Sequence, residues 1–194
     1  KSNAVIQTDS SLINGLSDQS HPCQVISDIL TFEELKGDIK GKTLSWIGDG
    51  ANNMSYSFIE AAVKFQFNLK IGCPKKYSPN KKIINWALKK NTRIEVSTNP
   101  KDAVKGSDCV MTDKWVSMND KGDKKKKKKI LKDYQVNKKL LSQAKSDTIF
   151  MHCLPVGRGE EVTNDIIDGE KSVVWQQALN RVHAQKSIIK WCLD

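Results

Sequence analysis

Thr43-Leu44-Ser45-Trp46-Ile47-Gly48-Asp49-Gly50 is a short apolar run that breaks at two glycines, and Ala51-Asn52-Asn53 leads from it into a helical pattern over Met54 to Phe65. A five-residue apolar run bounded by turn residues reads as a buried strand, and Asn52 or Asn53 can cap the helix that follows. The same alternation recurs downstream. Leu69 to Gly72 reads as a second strand ending at Cys73-Pro74, and Pro79 opens a helix carried by Ile83, Ile84, Ala87 and Leu88. Arg93 to Val96 is a third strand, Asn99-Pro100 opens a short helix to Val104, and Cys109-Val110-Met111 is a fourth strand. A helix spans Asn137 to Ala144, and Thr148 to Met151 forms the fifth strand. Strands that alternate with helices imply βαβ units, and right-handed crossovers place helices on both faces of a parallel sheet. The expected class is therefore α/β, a Rossmann-like parallel sheet. Two helices frame it, Cys23 to Leu35 with a stop at Gly37, and Gln177 to Leu193.

The glycine turn after the first strand is not a dinucleotide fingerprint. Gly-x-Gly-x-x-Gly requires a third glycine where Asn53 stands, and the next strand ends Ile71-Gly72-Cys73 with no acidic residue for a ribose.

With 194 residues, 38% hydrophobic and 28% charged, the chain can build one domain with a sizeable core. No apolar run approaches the length of a membrane span, and Lys1-Ser2-Asn3-Ala4 shows no secretory signal. The five cysteines, at 23, 73, 109, 153 and 192, match neither a disulfide framework nor a Cys-x-x-Cys metal site. We therefore expect reduced thiols, a cytoplasmic location, no metal and no cofactor. The net charge of +10 is concentrated in the unbroken run Lys124 to Lys129, followed by Lys132, Lys138 and Lys139. Nucleic-acid binding favours interleaved arginines and aromatics, yet no arginine lies between Arg93 and Arg158 and only Tyr134 is close. The run reads as a solvated loop and helix face, with neither a nucleic acid nor a membrane as partner.

Three strand ends carry polar clusters: Asn52 with Asn53, Asp113 with Ser117, and His152 with Cys153. In a parallel sheet they share one edge, where open α/β sheets bind their ligands. Each residue also has a plain structural use. The asparagines cap a helix, Asp113 caps the next one, Cys153 fills the core as a small hydrophobe, and Arg181 pairs with Glu160 or Glu161 at the surface. Arg181 and His183 stand near the start of the last helix, where a guanidinium can donate to a carbonyl or phosphate oxygen.

Taken together, the motifs resemble the carbamoyltransferases, and their ornithine branch in particular. The stretches that carry the resemblance run in the family's order. They are Asn14-Gly15-Leu16-Ser17-Asp18, His21-Pro22-Cys23-Gln24, Gly48-Asp49-Gly50 with Asn52-Asn53, Asp113-Lys114-Trp115-Val116-Ser117-Met118, His152-Cys153-Leu154-Pro155 with Arg158-Gly159-Glu160-Glu161, and Asn180-Arg181-Val182-His183. Cysteine in the His152-Cys153-Leu154-Pro155 motif and the Trp-Val-Ser-Met loop distinguish the ornithine from the aspartate branch. The departures are Asn119 where the family has glycine, Leu179 where an acidic residue is usual, and the unfamiliar segment 5–11.

The resemblance implies a two-lobed enzyme of which this chain is the amino-acid-binding half. Residues 1–22 would be a remnant of the carbamoyl-phosphate lobe, 23–36 a connecting helix, 37–176 the ornithine-binding lobe and 177–194 the C-terminal helix. The family's phosphate-gripping Ser-Thr-Arg-Thr-Arg motif is absent from this sequence. Carbamoyl phosphate would meet His21, Gln24, Cys153, Leu154 and Arg181, of which Cys153, Arg181 and His21 would be catalytic. Ornithine would meet Asn52, Asn53, Asp113, Ser117 and Met118. The neutral δ-amine would attack the carbamoyl carbon, giving citrulline and phosphate, with His21 and Arg181 donating where negative charge develops. The family implies a homotrimer, and the chain alone is expected to be inactive. The alternative is carbamoyl transfer to another amine, putrescine or an acylated ornithine.

Overall fold

The computed structural model describes residues 12–90, 92–116 and 122–194. Five strands, β1 (Thr43–Ile47), β2 (Asn68–Gly72), β3 (Ile94–Ser97), β4 (Cys109–Thr112) and β5 (Ile149–His152), form one parallel sheet in the order β3-β2-β1-β4-β5. The chain lays β2 and β3 outward on one side of β1, then returns to lay β4 and β5 on the other. The order thus reverses between β1 and β4, and a crevice opens there beyond the carboxyl ends of the strands. Ile47 sits opposite both Gly72 and Thr112, and Thr112 opposite His152, so those ends are level. The residues that follow β1, β4 and β5 therefore emerge side by side.

The helices are α1 (Pro22–Lys36), α2 (Asn53–Phe65), α3 (Lys81–Leu88), α4 (Pro100–Val104), α5 (Lys124–Leu131), α6 (Lys138–Leu141), α7 (Asn164–Ile167) and α8 (Val174–Leu193). Alternate strand residues feed two cores. Leu44, Trp46, Leu69, Ile71, Met111 and Met151 face Val25, Ile29 and Phe32 of α1 and Phe58 and Ile59 of α2. Ile47, Val110 and Phe150 face Ala103 and Val104 of α4, Leu140 and Leu141 of α6, and Ile166 and Ile167 of α7. Burying each large side chain is worth about 1.5–3 kcal/mol, so both faces contribute to holding the sheet. This is the expected α/β sheet with helices on both faces.

Several boundaries differ from the sequence reading. The helix after Pro79 starts at Lys81, because Asn80 caps it by accepting from the Lys82 N–H. The helix expected over 137–144 is only Lys138–Leu141, and the chain turns after it. The last helix begins three residues before 177, at Val174, which is fully buried. Arg181 and His183 accordingly stand in its middle, not near its start. Its inward face is Gln177, Asn180 and Ala184, whereas Val182, Ile189 and Trp191 point outward. The lysine run, read as a solvated surface, is helix α5. Asp123 caps it by accepting from the Lys126 N–H, and Leu131 buries its end. One of its lysines is not solvated: Lys127 lies 2.6 Å from Asp49 with only 13% of its side chain exposed.

Candidate functional site

β1 ends in Gly48, whose φ of +125° suits glycine and lets the chain turn against Thr112 and Trp115. Thr112 at the end of β4 donates its hydroxyl to the Ile47 carbonyl at 2.7 Å, which ties the two strands at the switch point. The next residue, Asp113, receives the Cys153 thiol on Oδ1 at 3.1 Å and the Lys114 N–H on the same oxygen at 2.6 Å. Asp113 caps no described helix; α5 is capped by Asp123.

Burial pushes the Asp113 carboxyl up, an effect that the Cys153 hydrogen bond and the nearby His152 partly offset. Burial also pushes the Cys153 thiol well above its ordinary range, and the Asp113 charge pushes it further. Both effects favour the thiol over the thiolate, consistent with Cys153 donating to Asp113.

His152 at the end of β5 is fixed from three sides. Its backbone N–H donates to Gln177 Oε1 at 2.9 Å, its Nδ1 accepts from the Leu154 N–H at 2.9 Å, and its Nε2 lies 3.2 Å from Glu161 Oε1. The Leu154 donor needs the Nδ1 lone pair, which places the ring proton on Nε2, facing the carboxylate. Leu154 itself adopts φ +51°, a left-handed conformation that costs a branched residue energy and is held by this bond. Asp113, His152 and Cys153 offer atoms within 4.8 Å of one another, the spacing of a metal cluster. Both His152 nitrogens are already engaged, so the set lacks a free imidazole lone pair and does not fit a metal centre.

His21 precedes α1 and donates its backbone N–H to Ser57 Oγ at 2.7 Å. Its Nδ1 is buried with no hydrogen-bond partner among the described residues. Burial, and secondly the Arg181 charge, lower its pKa. On α1 the Gln24 carboxamide accepts from Arg181 Nη1 at 2.6 Å. Gln185, turned with its oxygen towards the guanidinium, accepts from Nη2 and Nε of Arg181 at 3.0 and 3.3 Å. The expected alternative partners of Arg181 are occupied elsewhere: Glu160 pairs with Lys128, and Glu161 is wholly buried against His152.

An open cleft of about 710 Å³ is lined by Gln24, Cys153, Leu154 and Arg181, with His152 and Gln177 at its floor. Four residues read from the sequence thus share one surface, and Asp113 joins them through Cys153. The asparagines do not. Asn52 caps α2, accepting from the Ser55 N–H at 2.8 Å, and Asn53 donates to the Ser17 carbonyl at 2.8 Å, fastening the segment before α1. Ser117 and Met118 lie outside the described residues.

Sequence reading missed Asp28, Gln177 and Glu161. The available signal was a polar stripe at helical spacing, Gln24, Asp28 and Thr31, running beside the apolar stripe of α1. It meets Gln177 and Asn180 of α8, with Asn180 Nδ2 donating to Thr31 Oγ1 at 3.0 Å.

Residues 40–192 match the profile described as aspartate/ornithine carbamoyltransferase, Asp/Orn binding domain. The chain is 53% identical over 182 residues to an ornithine carbamoyltransferase from Rhodopseudomonas palustris, covering 94% of this chain and 58% of that protein. It is 48% identical to the ornithine carbamoyltransferase of Brucella abortus, over 94% of this chain and 58% of the relative. Among solved structures it superposes on ornithine carbamoyltransferase from Pyrococcus furiosus with a TM-score of 0.84 at 45% identity, covering 90% of this chain and 57% of that one. The anabolic enzyme of Campylobacter jejuni gives a TM-score of 0.88 at 31% identity, covering 95% and 62%. The chain therefore spans roughly three-fifths of the proteins it matches.

Proposed function

The chain belongs to the aspartate/ornithine carbamoyltransferase family, and from this premise we propose that it forms the amino-acid-binding half of an enzyme that transfers the carbamoyl group of carbamoyl phosphate to the δ-amine of L-ornithine. The observation that carries the reading is the level carboxyl edge at β4 and β5. There the Cys153 thiol donates to Asp113 across the strand ends, beside a cleft that holds Arg181 and Gln24.

In this reading Asp113 takes the α-ammonium group of ornithine, with Asn52, Asn53, Ser117 and Met118 completing the amino-acid pocket. The hydrogen bonds that engage Asn52 and Asn53 are exchanged for substrate, or the pair acts by shaping the pocket. The Leu154 carbonyl and Cys153 flank the δ-amine. A protonated amine is no nucleophile, and a partly desolvated site favours its neutral form. His21, Gln24 and Arg181 hold the carbamoyl group, and Arg181 donates to its oxygen as charge develops during attack. Positioning supplies most of the acceleration, and phosphate leaves without a covalent enzyme intermediate.

The remaining 42% or so of the relatives' length supplies the carbamoyl-phosphate lobe in this account. Residues 1–22 are its edge, 23–36 the connecting helix, 37–176 the ornithine lobe and 177–194 the C-terminal helix. The assembly is a homotrimer of the complete protein. It works in the cytoplasm, a reading supported by the five free cysteines.

The test joins this chain to the portion of the Rhodopseudomonas palustris relative that it does not span. L-ornithine, L-aspartate, putrescine and N-acetylornithine are offered as acceptors. Ornithine is expected to give the highest kcat/KM, with Asp113→Asn raising its KM. A preference for putrescine or N-acetylornithine, unaffected by Asp113→Asn, would replace ornithine as the substrate.

A further inference from the structure

Asp28 is a carboxyl group buried to 1% exposure in the seam between α1 and α8, and no step of the proposed reaction uses it. One of its oxygens, Oδ1, accepts from two primary amides: Gln24 Nε2 at 2.7 Å and Gln177 Nε2 at 2.7 Å. A primary amide has a donor end and an acceptor end. Once the donor ends are committed to Asp28, the acceptor ends must face the other way. Gln24 Oε1 then meets Arg181 Nη1 at 2.6 Å, and Gln177 Oε1 meets the His152 N–H at 2.9 Å. Neither acceptor returns to its own helix. One holds the guanidinium that lines the cleft, and the other holds the Met151–His152 peptide at the end of β5. The second carboxyl oxygen, Oδ2, has no partner among the described residues, and Asp28 borders a cavity of about 10 Å³ shared with Thr112, His152 and Cys153.

We infer that Asp28 is a positioning residue, which sets the orientation of the Gln24 and Gln177 carboxamides and through them aims Arg181 and holds the Met151–His152 peptide at the end of β5. The inference deepens the proposed function, since it assigns the backing of the carbamoyl-binding side of that cleft. Without an acceptor at this place the Gln24 amide is free to turn, and its NH₂ then faces the Arg181 NH₂ groups, donor against donor. Asparagine keeps an acceptor where Oδ1 stands. Leucine has a similar shape and keeps none.

The experiment uses the chain itself, labelled with ¹⁵N. It has only three arginines, so the Arg181 guanidinium signals are assigned by comparison with Arg181→Lys. In Asp28→Leu, hydrogen exchange at Arg181 Nη1 is expected to speed up about tenfold, the loss of one charge-assisted hydrogen bond. In Asp28→Asn it stays within about threefold of wild type, because the acceptor remains. Unchanged exchange in Asp28→Leu, or equal acceleration in both variants, overturns the inference. The wild-type chain provides a second test that does not depend on whether the leucine variant folds. Gln24 and Gln177 must each show one slowly exchanging side-chain amide proton, with cross-relaxation between the two, and their absence overturns the inference as well. These readouts require no turnover. A joined enzyme that makes no citrulline would defeat the proposed function while leaving the Asp28 result to stand or fall by itself.

Discussion

The seam between α1 and α8 and the helix α5 handle polar residues in opposite ways. At the heart of the seam the polar groups are bonded to one another: buried Asp28 takes two glutamine amides, and half-buried Arg181 rests on Gln24. α5 contains six consecutive lysines, and Lys124, Lys125, Lys126 and Lys129 face solvent. By charge count α5 dominates the molecule. By desolvation the seam does, and a polar group's leverage scales with the water it has lost. Among the lysines of α5, Lys127 makes the most buried contact. Lys127 meets Asp49 at 2.6 Å and lies 5.4 Å from the Tyr77 ring, fastening the helix to the glycine turn after β1.

The largest expected effect probes the seam by pH. Burial raises the Asp28 pKa from 3.8 to about 7, with the hydrogen bonds from Gln177 and Gln24 and the Arg181 charge opposing the rise. Between those two values the folded chain holds a proton that the unfolded chain has shed. Stability from this group is therefore fullest below 3.8 and is lost as pH rises through about 7. The difference in unfolding free energy between wild type and Asp28→Asn should fall by up to about 4 kcal/mol from pH 4 to pH 8. Urea unfolding across that range measures it, and a flat difference would mean that the seam does not desolvate Asp28 as described.

Next is Glu161→Ala, which strips the buried His152 Nε2 and the Gly157 N–H of their acceptor. It should cost about 3 kcal/mol in the same assay; a loss below about 1 kcal/mol would show that water replaces the carboxylate at no great cost. Arg181→Gln in the joined enzyme should lower kcat about a hundredfold, in line with removal of one donor to a developing oxyanion. A change confined to KM would make Arg181 a ground-state contact. On the other side of the comparison, Lys127→Met should cost about 2 kcal/mol, since it leaves Asp49 buried without its cation. Converting Lys124, Lys125, Lys126 and Lys129 together to glutamine should change stability by no more than about 0.5 kcal/mol per residue. Equal effects from Lys127 and from its exposed neighbours would erase the distinction between one anchoring lysine and a solvated face.

The β1–turn–α2 unit was legible because strand period, glycine break and asparagine cap all pointed the same way. The convergence of Asp113 with Cys153 followed from parallel topology, since level strand ends leave their next residues side by side. What stayed hidden has a common cause. Patterns reveal which residues avoid water more readily than which polar residues are buried together. Asp28 and Gln177 interrupt apolar helices at positions that look like solvent faces until two helices are paired. α8 misled for the same reason, as its inward stripe is polar and its apolar residues Val182, Ile189 and Trp191 lie outside. Glu161 read as a surface partner for Arg181, and only the path of the loop after β5 brings it under His152.

The central claim is that this polypeptide carries one half of a carbamoyl-transfer site. The direct measurement is citrulline formation from carbamoyl phosphate and L-ornithine, made on the polypeptide alone and on the same polypeptide joined to the part of the Rhodopseudomonas palustris relative it does not span. The account predicts no turnover from the first and clear turnover from the second. Robust citrulline production by the polypeptide alone would contradict it, because the cleft between α1, α8 and the end of β5 would then be a complete active site.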